Sequence, residues 1–331
     1  CLSMLGTFPR PELLEFMVRE TEGNAFFIVE IMRALAEEAG GLGAVGVRTL
    51  PPQVLTGGIR TILQRRIERV PPNFRGTLRL MAVAGRQLDL EVLRQFEPRY
   101  EMWLATCADA AVLEISEQRW RFAHDKLREA LLAELDGSEW RRLHQQVAAA
   151  IEKAYRDPEK QATALAYHYR EAGLEKQAAH YGIIAGEQAL AQGALAEAVS
   201  LLQQVVPVLD KHPDAELLAW ARAHRLLAQA LFGLHEANEC VRISEKGLKR
   251  LHPERWSSSS SAQQTLSMLS LVGEHALHQA VASSVRLVTD EKQRALLHEQ
   301  LLMILAAGEM YAYLGQPVAL LALALLIRSR K

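Results

Sequence analysis

The feature that most restricts what residues 158–331 can fold into is a repetition of small side chains. Gly186, Gly193, Ala198 and Leu202 recur 42 positions later as Ala228, His235, Cys240 and Ser244. Self-similarity at a period of a few tens of residues is the signature of stacked helical units, each too small to bury its own apolar face. Small residues at the crossings let paired helices approach closely. Upstream, residues 167–190 form a further helix pair, with Ala166, Tyr169, Gly173, Ala178 and Ala185 at the offsets of a tetratricopeptide unit. The 42-residue spacing is longer than the usual period of about 34.

Composition supports a mainly α chain. At 331 residues, 49% apolar and 23% charged, there is material for two or three cores,. Aromatics are only 6%, and the abundance of Ala and Leu suits helix interfaces better than sheets. The 38 basic and 39 acidic residues nearly cancel, so no global field draws the chain to nucleic acid or an anionic membrane. Cys1, Cys107 and Cys240 have no disulfide or zinc spacing,, which predicts a cytoplasmic protein. The longest apolar run, Val318 to Ile327, falls short of the roughly 20 residues a bilayer requires. With no initiator Met at one end and a helical pattern running into basic residues at the other, both ends read as cuts within a longer protein.

Three regions are expected: 1–70, 71–157 and 158–331. In the first, Leu13, Leu14 and Met17 mark one helix, and Ile28, Ile31, Met32 and Leu35 a second,. A Gly- and Pro-rich loop from Gly40 to Pro52 precedes a third helix with Ile59, Ile62, Leu63 and Ile67 inward, ended by Pro71-Pro72,. In the second region short helices are interrupted at 112–123, where Leu113 and Ile115 alternate opposite Trp120 and Phe122 across Ser116-Glu117-Gln118, a β-hairpin pattern,. Three short helices, a hairpin and another helix give the element order of a winged helix. A long helix after Ser138, with Leu143, Val147 and Ile151 on one face, leads out of it. Within the third region the five serines of 257–261 read as a loop, and Leu296, Leu297, Leu301 and Ile304 resume a helical stripe,.

Several chemistries find no support. Gly41-Leu-Gly-Ala-Val-Gly46 spells a dinucleotide fingerprint, but a helix precedes it and Thr49-Leu-Pro-Pro52 follows, where a strand and a helix are required,. No Gly-Lys-Ser or Gly-Lys-Thr P-loop, no His-Glu-x-x-His and no nucleophile elbow is present,. The third helix of the winged-helix pattern, 100–111, has no Arg, Lys, Asn or Gln to read bases,. Arg60, Arg65, Arg66 and Arg69 on the helix before it read as a solvated face. Direct DNA binding is therefore not expected.

Two motifs remain, Thr21-Glu-Gly-Asn-Ala-Phe-Phe-Ile-Val-Glu30 and Arg121-Phe-Ala-His-Asp-Lys-Leu-Arg-Glu-Ala130. In that order, with a winged-helix pattern and helical repeats behind them, the chain resembles the C-terminal part of the signal-transduction ATPases with numerous domains. In these AAA-like regulators a P-loop core is followed by a helical lid, a winged helix and tetratricopeptide-like repeats. Gly23, Asn24, Phe26 and Phe27 match the family's Gly-Asn-Pro-Phe-Phe lid motif, and Ala25 stands where its proline lies near the adenine ring. His124 and Asp125 match the winged-helix His-Asp motif. Arg142-Leu-His144 and the run from Leu165 to Gly173 resemble the family's junction with its first repeats.

The resemblance implies that Gly23, Asn24, Ala25, His124 and Asp125 meet a bound ATP or ADP whose Mg is supplied by the core, with His124 sensing the β-phosphate of ADP. A histidine at a helix N-terminus adds a donor beside unpaired amides, and Asp125 is placed to cap or orient it. On this reading the repeats bind a protein or small-molecule inducer, the upstream core carries the P-loop, and output comes from a further domain. No catalytic residue and no metal ligand is assigned within residues 1–331, and no membrane contact is expected. A different class of protein fits the same letters: a tetratricopeptide adaptor whose N-terminal helices never meet a nucleotide.

Overall fold

The alternating hydrophobic and small-residue patterns become helices almost throughout, in a computed structural model that describes residues 10–21, 63–211 and 217–251, with scattered positions in 28–45 and 291–303. The chain divides into two compact units, Cys1–Arg156 and Asp157–Lys331.

In the first unit α1 (Pro11–Thr21) buries Leu13, Phe16 and Met17 against Ile31, Met32, Leu35 and Val45. Leu14, expected inward, is 49% exposed; the apolar stripe of α1 turns through Phe16 instead. Helical residues 63–69 bury Leu63 and Ile67 as expected, while Ile59 and Ile62 lie outside the described residues. Arg66 departs from its expected solvated face. It is 7% exposed and its Nη1 donates to the carbonyl of Ala111 at 3.0 Å.

Pro71 and Pro72 both end that helix and open α2 (Pro72–Ala84), because a proline in the first turn has no amide to lose,. Arg75 of α2 reaches back to the carbonyls of Val70 and Glu68, satisfying acceptors left over at the preceding helix end,. α3 (Leu90–Phe96) is capped by Asp89, whose Oδ1 accepts from Glu91 and Val92 amides,. α4 (Tyr100–Asp109) buries Trp103, Leu104 and Cys107, and Trp103 Nε1 donates to the Phe74 carbonyl at 3.2 Å. Burial pushes the Cys107 thiol up to about 12, so it is an un-ionised packing residue,.

The expected hairpin is present. β1 (Leu113–Ser116) pairs antiparallel with β2 (Arg119–Phe122), in the register Leu113 with Phe122 and Ile115 with Trp120. Glu117 and Gln118 both take positive φ, 50° and 61°, the hand that a two-residue hairpin turn needs,. Residues 86–88 add a short third edge: Leu88 donates to Trp120 and Phe122 to Arg86, around a bridge between Gln87 and Arg121. α5 (Asp125–Ala133) follows, and α6 (Gly137–Ala154) packs on α2 and α3. Asp136, rather than a residue after it, caps α6, and the bond from the Ser138 hydroxyl followed by the Glu139 and Ser138 amides hold its carboxyl below the usual range.

The second unit runs through a short 3-10 turn, Pro158–Gln161, then α7 (Ala162–Glu171), α8 (Glu175–Ala191), α9 (Leu195–Lys211), α10 (Leu217–Gly233) and α11 (Ala237–Leu251). Each of these helices packs on the next, and α8 also meets α10. Three of the connections share one backbone solution. Gly173, Gly193 and His235 lie at φ of 75°, 76° and 61°, each amide bonding three residues back and the next amide five back, a Schellman helix end,. The letters that recur 42 residues apart thus mark equivalent turns. Close approach is real where glycines allow it: a Cβ on Gly186 would stand 2.7 Å from Leu202 Cγ, and one on Gly182 would run into Val205.

Among the described residues four polar pairs tie helices together across 34 to 36 residues: Arg170 with Gln204, Glu187 with Arg222, Glu175 with Lys211, and Asp210 with Lys246. The core beneath them includes Ile183, Leu202, Trp220, Leu227 and Ile243, and Met303 joins it.

Candidate functional site

The N-terminus of α5 is where the second sequence motif falls, and the sheet delivers it rigidly. Phe122, fully buried, is tied through its amide to Arg86, and Ala123 through its amide to the Val112 carbonyl. The next residue, His124, is therefore fixed at the end of β2 with an extended backbone, φ −150° and ψ 146°. Leu127 and Leu131 hold α5 against the core, and Arg128 Nε donates to the Ala82 carbonyl at 2.7 Å, anchoring α5 to the last turn of α2.

His124 is itself the N-cap. Its Nδ1 accepts from the Lys126 amide at 3.1 Å, taking one of the donors that a helix start leaves over. Asp125, expected to cap or orient the histidine, turns to Arg86 instead, Oδ1 to Nε at 3.0 Å. Both side chains of that pair are about half exposed, so it aligns charge more than it stabilises. Lys126 pairs with Glu129 one turn on.

Burial, opposed by Asp125 and assisted by Arg86, lowers the affinity of the half-buried His124 ring for a proton. The ring is neutral near pH 7, and with Nδ1 serving as acceptor its hydrogen must reside on Nε2. The result is an N–H donor at a helix N-terminus, with Arg86 and Lys126 beside it. Donors so arranged match an anionic oxygen.

Arg86 was not legible as part of this site. It lies 39 residues before Asp125, and only the pairing of 86–88 with β2 brings the two together. Gly23, Asn24 and Ala25 lie outside the described residues. The nearest described neighbour in sequence, Thr21, is buried and returns its hydroxyl to the Met17 carbonyl at 2.6 Å.

In the second unit α7, α8 and α9 enclose a cavity of about 400 Å³, lined among others by Tyr167, Arg170, Glu175, Gly182, Gln204 and Val205. Its volume lies in the range of small-ligand sites. Arg170 stands 5.5 Å over the Tyr167 ring and donates to Gln204, while Glu175 is held by Lys211 at 2.6 Å. Among the described residues no three His, Cys, Asp or Glu side chains are grouped to hold a metal, and no helix is long and apolar enough to cross a membrane. Compared with protein-family models, curated proteins and solved structures, the chain matches none.

Proposed function

We propose that this chain is the regulatory part of an ATP/ADP-switched signal-transduction ATPase: a helical lid, a winged helix that senses nucleotide, and a tetratricopeptide-like solenoid that binds an inducer. The observation that carries the reading is the protonation geometry of His124. A neutral ring whose Nδ1 is taken by the Lys126 amide carries its hydrogen on Nε2 at a helix N-terminus, a donor type suited to a terminal phosphate oxygen of ADP. The winged-helix part of the reading is supported by the order α2, 86–88, α3, α4, β1, β2, α5, in which the short third edge joins β2.

In the proposed cycle ADP bound to an upstream P-loop core is retained through His124 in a closed state. An inducer on the repeats shifts the balance toward the open state to the extent that it prefers that state. Output passes to a domain outside these residues. The adenine side of the nucleotide would be met by Gly23, Asn24 and Ala25.

Because His124 also caps α5, its substitution must separate two roles. Asn is a good N-cap but carries no donor in the place of Nε2–H. In the full-length protein His124→Asn is expected to leave the thermal midpoint near wild type while raising the ADP release rate about ten-fold and the basal output with it. ADP release that stays at the wild-type rate in His124→Asn would reduce His124 to a cap.

The cavity on α7–α9 favours a second reading, a helical-repeat adaptor with no nucleotide role. Purified full-length protein that carries no adenine nucleotide and binds no ADP would leave the adaptor standing.

A further inference from the structure

The cavity of about 400 Å³ on α7, α8 and α9 follows from the sizes of the side chains that meet there. Gly182 of α8 lets Val205 of α9 come so close that a Cβ on residue 182 would run into it, and both residues are buried. Ala166 of α7 and Ala178 of α8 line the space with one methyl group each and leave it unfilled, while Leu201 of α9 adds apolar wall. Tyr167, Arg170, Glu175 and Gln204, all exposed, make a polar rim. An apolar interior with a few polar groups at its edge is the usual form of a small-molecule site.

The two charges of the rim are held differently. Glu175 accepts from Lys211 Nζ at 2.6 Å, so a cation is already on its carboxylate. Arg170 stands 5.5 Å over the Tyr167 ring and donates through Nη1 to Gln204 Oε1, a neutral acceptor whose own Nε2 is anchored to the Ser200 carbonyl at 3.1 Å. The carboxylate beside it, Glu171, lies 3.5 Å from Nη2, long for a charge-assisted bond. The guanidinium is thus fixed by a ring and an amide, while its charge is only loosely answered. Leu174 leaves the start of α8 without a side-chain cap, and the positive end of that helix dipole adds to the same sign,. An ammonium group could reach Glu175 only by displacing Lys211, whereas a carboxylate finds a fork of donors already in place on Arg170.

We propose that this cavity binds a small organic carboxylate, with the carboxylate on Arg170 and an apolar body against Ala166, Ala178, Leu201 and Val205. Such a molecule would be the inducer of the proposed cycle, so its regulatory meaning rests on that reading; binding itself involves the second unit alone and requires no nucleotide.

Calorimetric titration of the full chain, free of nucleotide, with naphthylacetate, phenylbutyrate and octanoate tests this. At least one acid is expected to bind at a single site, about ten-fold more tightly than the amide or the amine of the same skeleton. Arg170→Gln, at an exposed position, should weaken the acid by about ten-fold and leave the amide unchanged. Arg170→Lys, which keeps the charge without the fork, should recover part of the loss. Ala178→Leu, which fills the space, should abolish binding of acid and amide alike while the far-UV circular dichroism stays that of the wild type. No binding of any of the three acids, equal affinity for acid and amide, preference for the amine, or full acid affinity in either Arg170→Gln or Ala178→Leu would overturn the site. Any of these outcomes leaves the ADP test at His124 as it stands, and unchanged ADP release in His124→Asn leaves carboxylate binding intact, so the two readings fail separately.

Discussion

The Tyr155 hydroxyl donates to Asp89 Oδ2 at 2.6 Å, joining the residue that ends α6 to the residue that caps α3. The same carboxylate accepts two backbone amides through Oδ1, so both ends of one charge are occupied. Burial first, then the bond to Asp89, pushes the phenol up to about 12. An unfolded tyrosine ionises near 10, so between about pH 10 and 12 the folded chain keeps a proton that the unfolded chain has lost. Stability is full below that window and falls across it. Tyr155→Phe should lose about 1 kcal/mol at pH 7 and flatten the alkaline decline, as urea midpoints taken along a pH series would show.

A second, opposite dependence belongs to His224. The ring is fully buried against Trp220, centroids 4.0 Å apart; Nδ1 bonds to the Trp220 carbonyl at 2.9 Å and Nε2 stands 3.7 Å from Asp210 Oδ1. Burial holds its pKa below the usual value despite Asp210, with Lys246 and Arg250 adding to the depression. Below about pH 6.5 the unfolded histidine takes a proton that the folded one refuses, so stability falls as pH drops toward the lowered folded value. Asp210 acts in a separate, more acidic window: burial raises its pKa, but bonds from Lys246 and Trp220 outweigh that and leave it low. His224→Gln should therefore reduce the loss of thermal midpoint between pH 7 and 5, and an unaltered loss would assign it to other groups.

Contact at Gly186 is tight enough to predict a penalty for one methyl group. Leu202, the neighbour, is fully buried and offers its branching carbon at 2.7 Å to a Cβ on residue 186. Gly186→Ala should lose about 1–3 kcal/mol by overpacking, and Leu202→Ala alone about 2–5 kcal/mol by leaving a cavity. The double variant should lose less than the sum, because the new methyl occupies space that leucine has left. Strict additivity in guanidinium unfolding would mean that the helices separate rather than clash.

What was legible in the sequence followed from short-range periodicity. The hairpin register was readable because Leu113, Ile115, Trp120 and Phe122 alternate about a central turn, and a shift of one residue would turn the buried Leu113 and Phe122 toward solvent,. Buried helix faces were readable for Leu143, Val147 and Ile151 for the same reason. The period alone did not choose between Leu14 and Phe16, since either extends the stripe of Leu13 and Met17. Nor did it separate Arg66 from its neighbours Arg65 and Arg69. The acceptor that draws Arg66 inward is the Ala111 carbonyl, 45 residues away, in a residue held at φ 54° by the helix end of α4.

The candidate site was half legible. His124 and Asp125 stood out through their motif, but the side-chain roles were exchanged: capping preferences point to Asp, whereas the extended backbone at the end of β2 falls on His124 and makes it the cap,. Arg86 came from a pairing too short to leave a pattern. The polar pairs of the second unit were illegible for a related reason, since each joins helices 34 to 36 residues apart and depends on how those helices are staggered.

The matching turns at Gly193 and His235 bear on how such a chain changes length over evolutionary time. A stretch of 42 residues bounded by them begins and ends in one backbone conformation with one set of hydrogen bonds. Excising or duplicating that stretch joins like to like, whereas a cut of arbitrary length leaves a helix to be stopped by residues of the wrong hand. Histidine in the second turn, where the first has glycine, shows that two different residues hold the same backbone conformation. Removing or adding that two-helix stretch would thus leave the turn at its boundary with the conformation and hydrogen bonds already present.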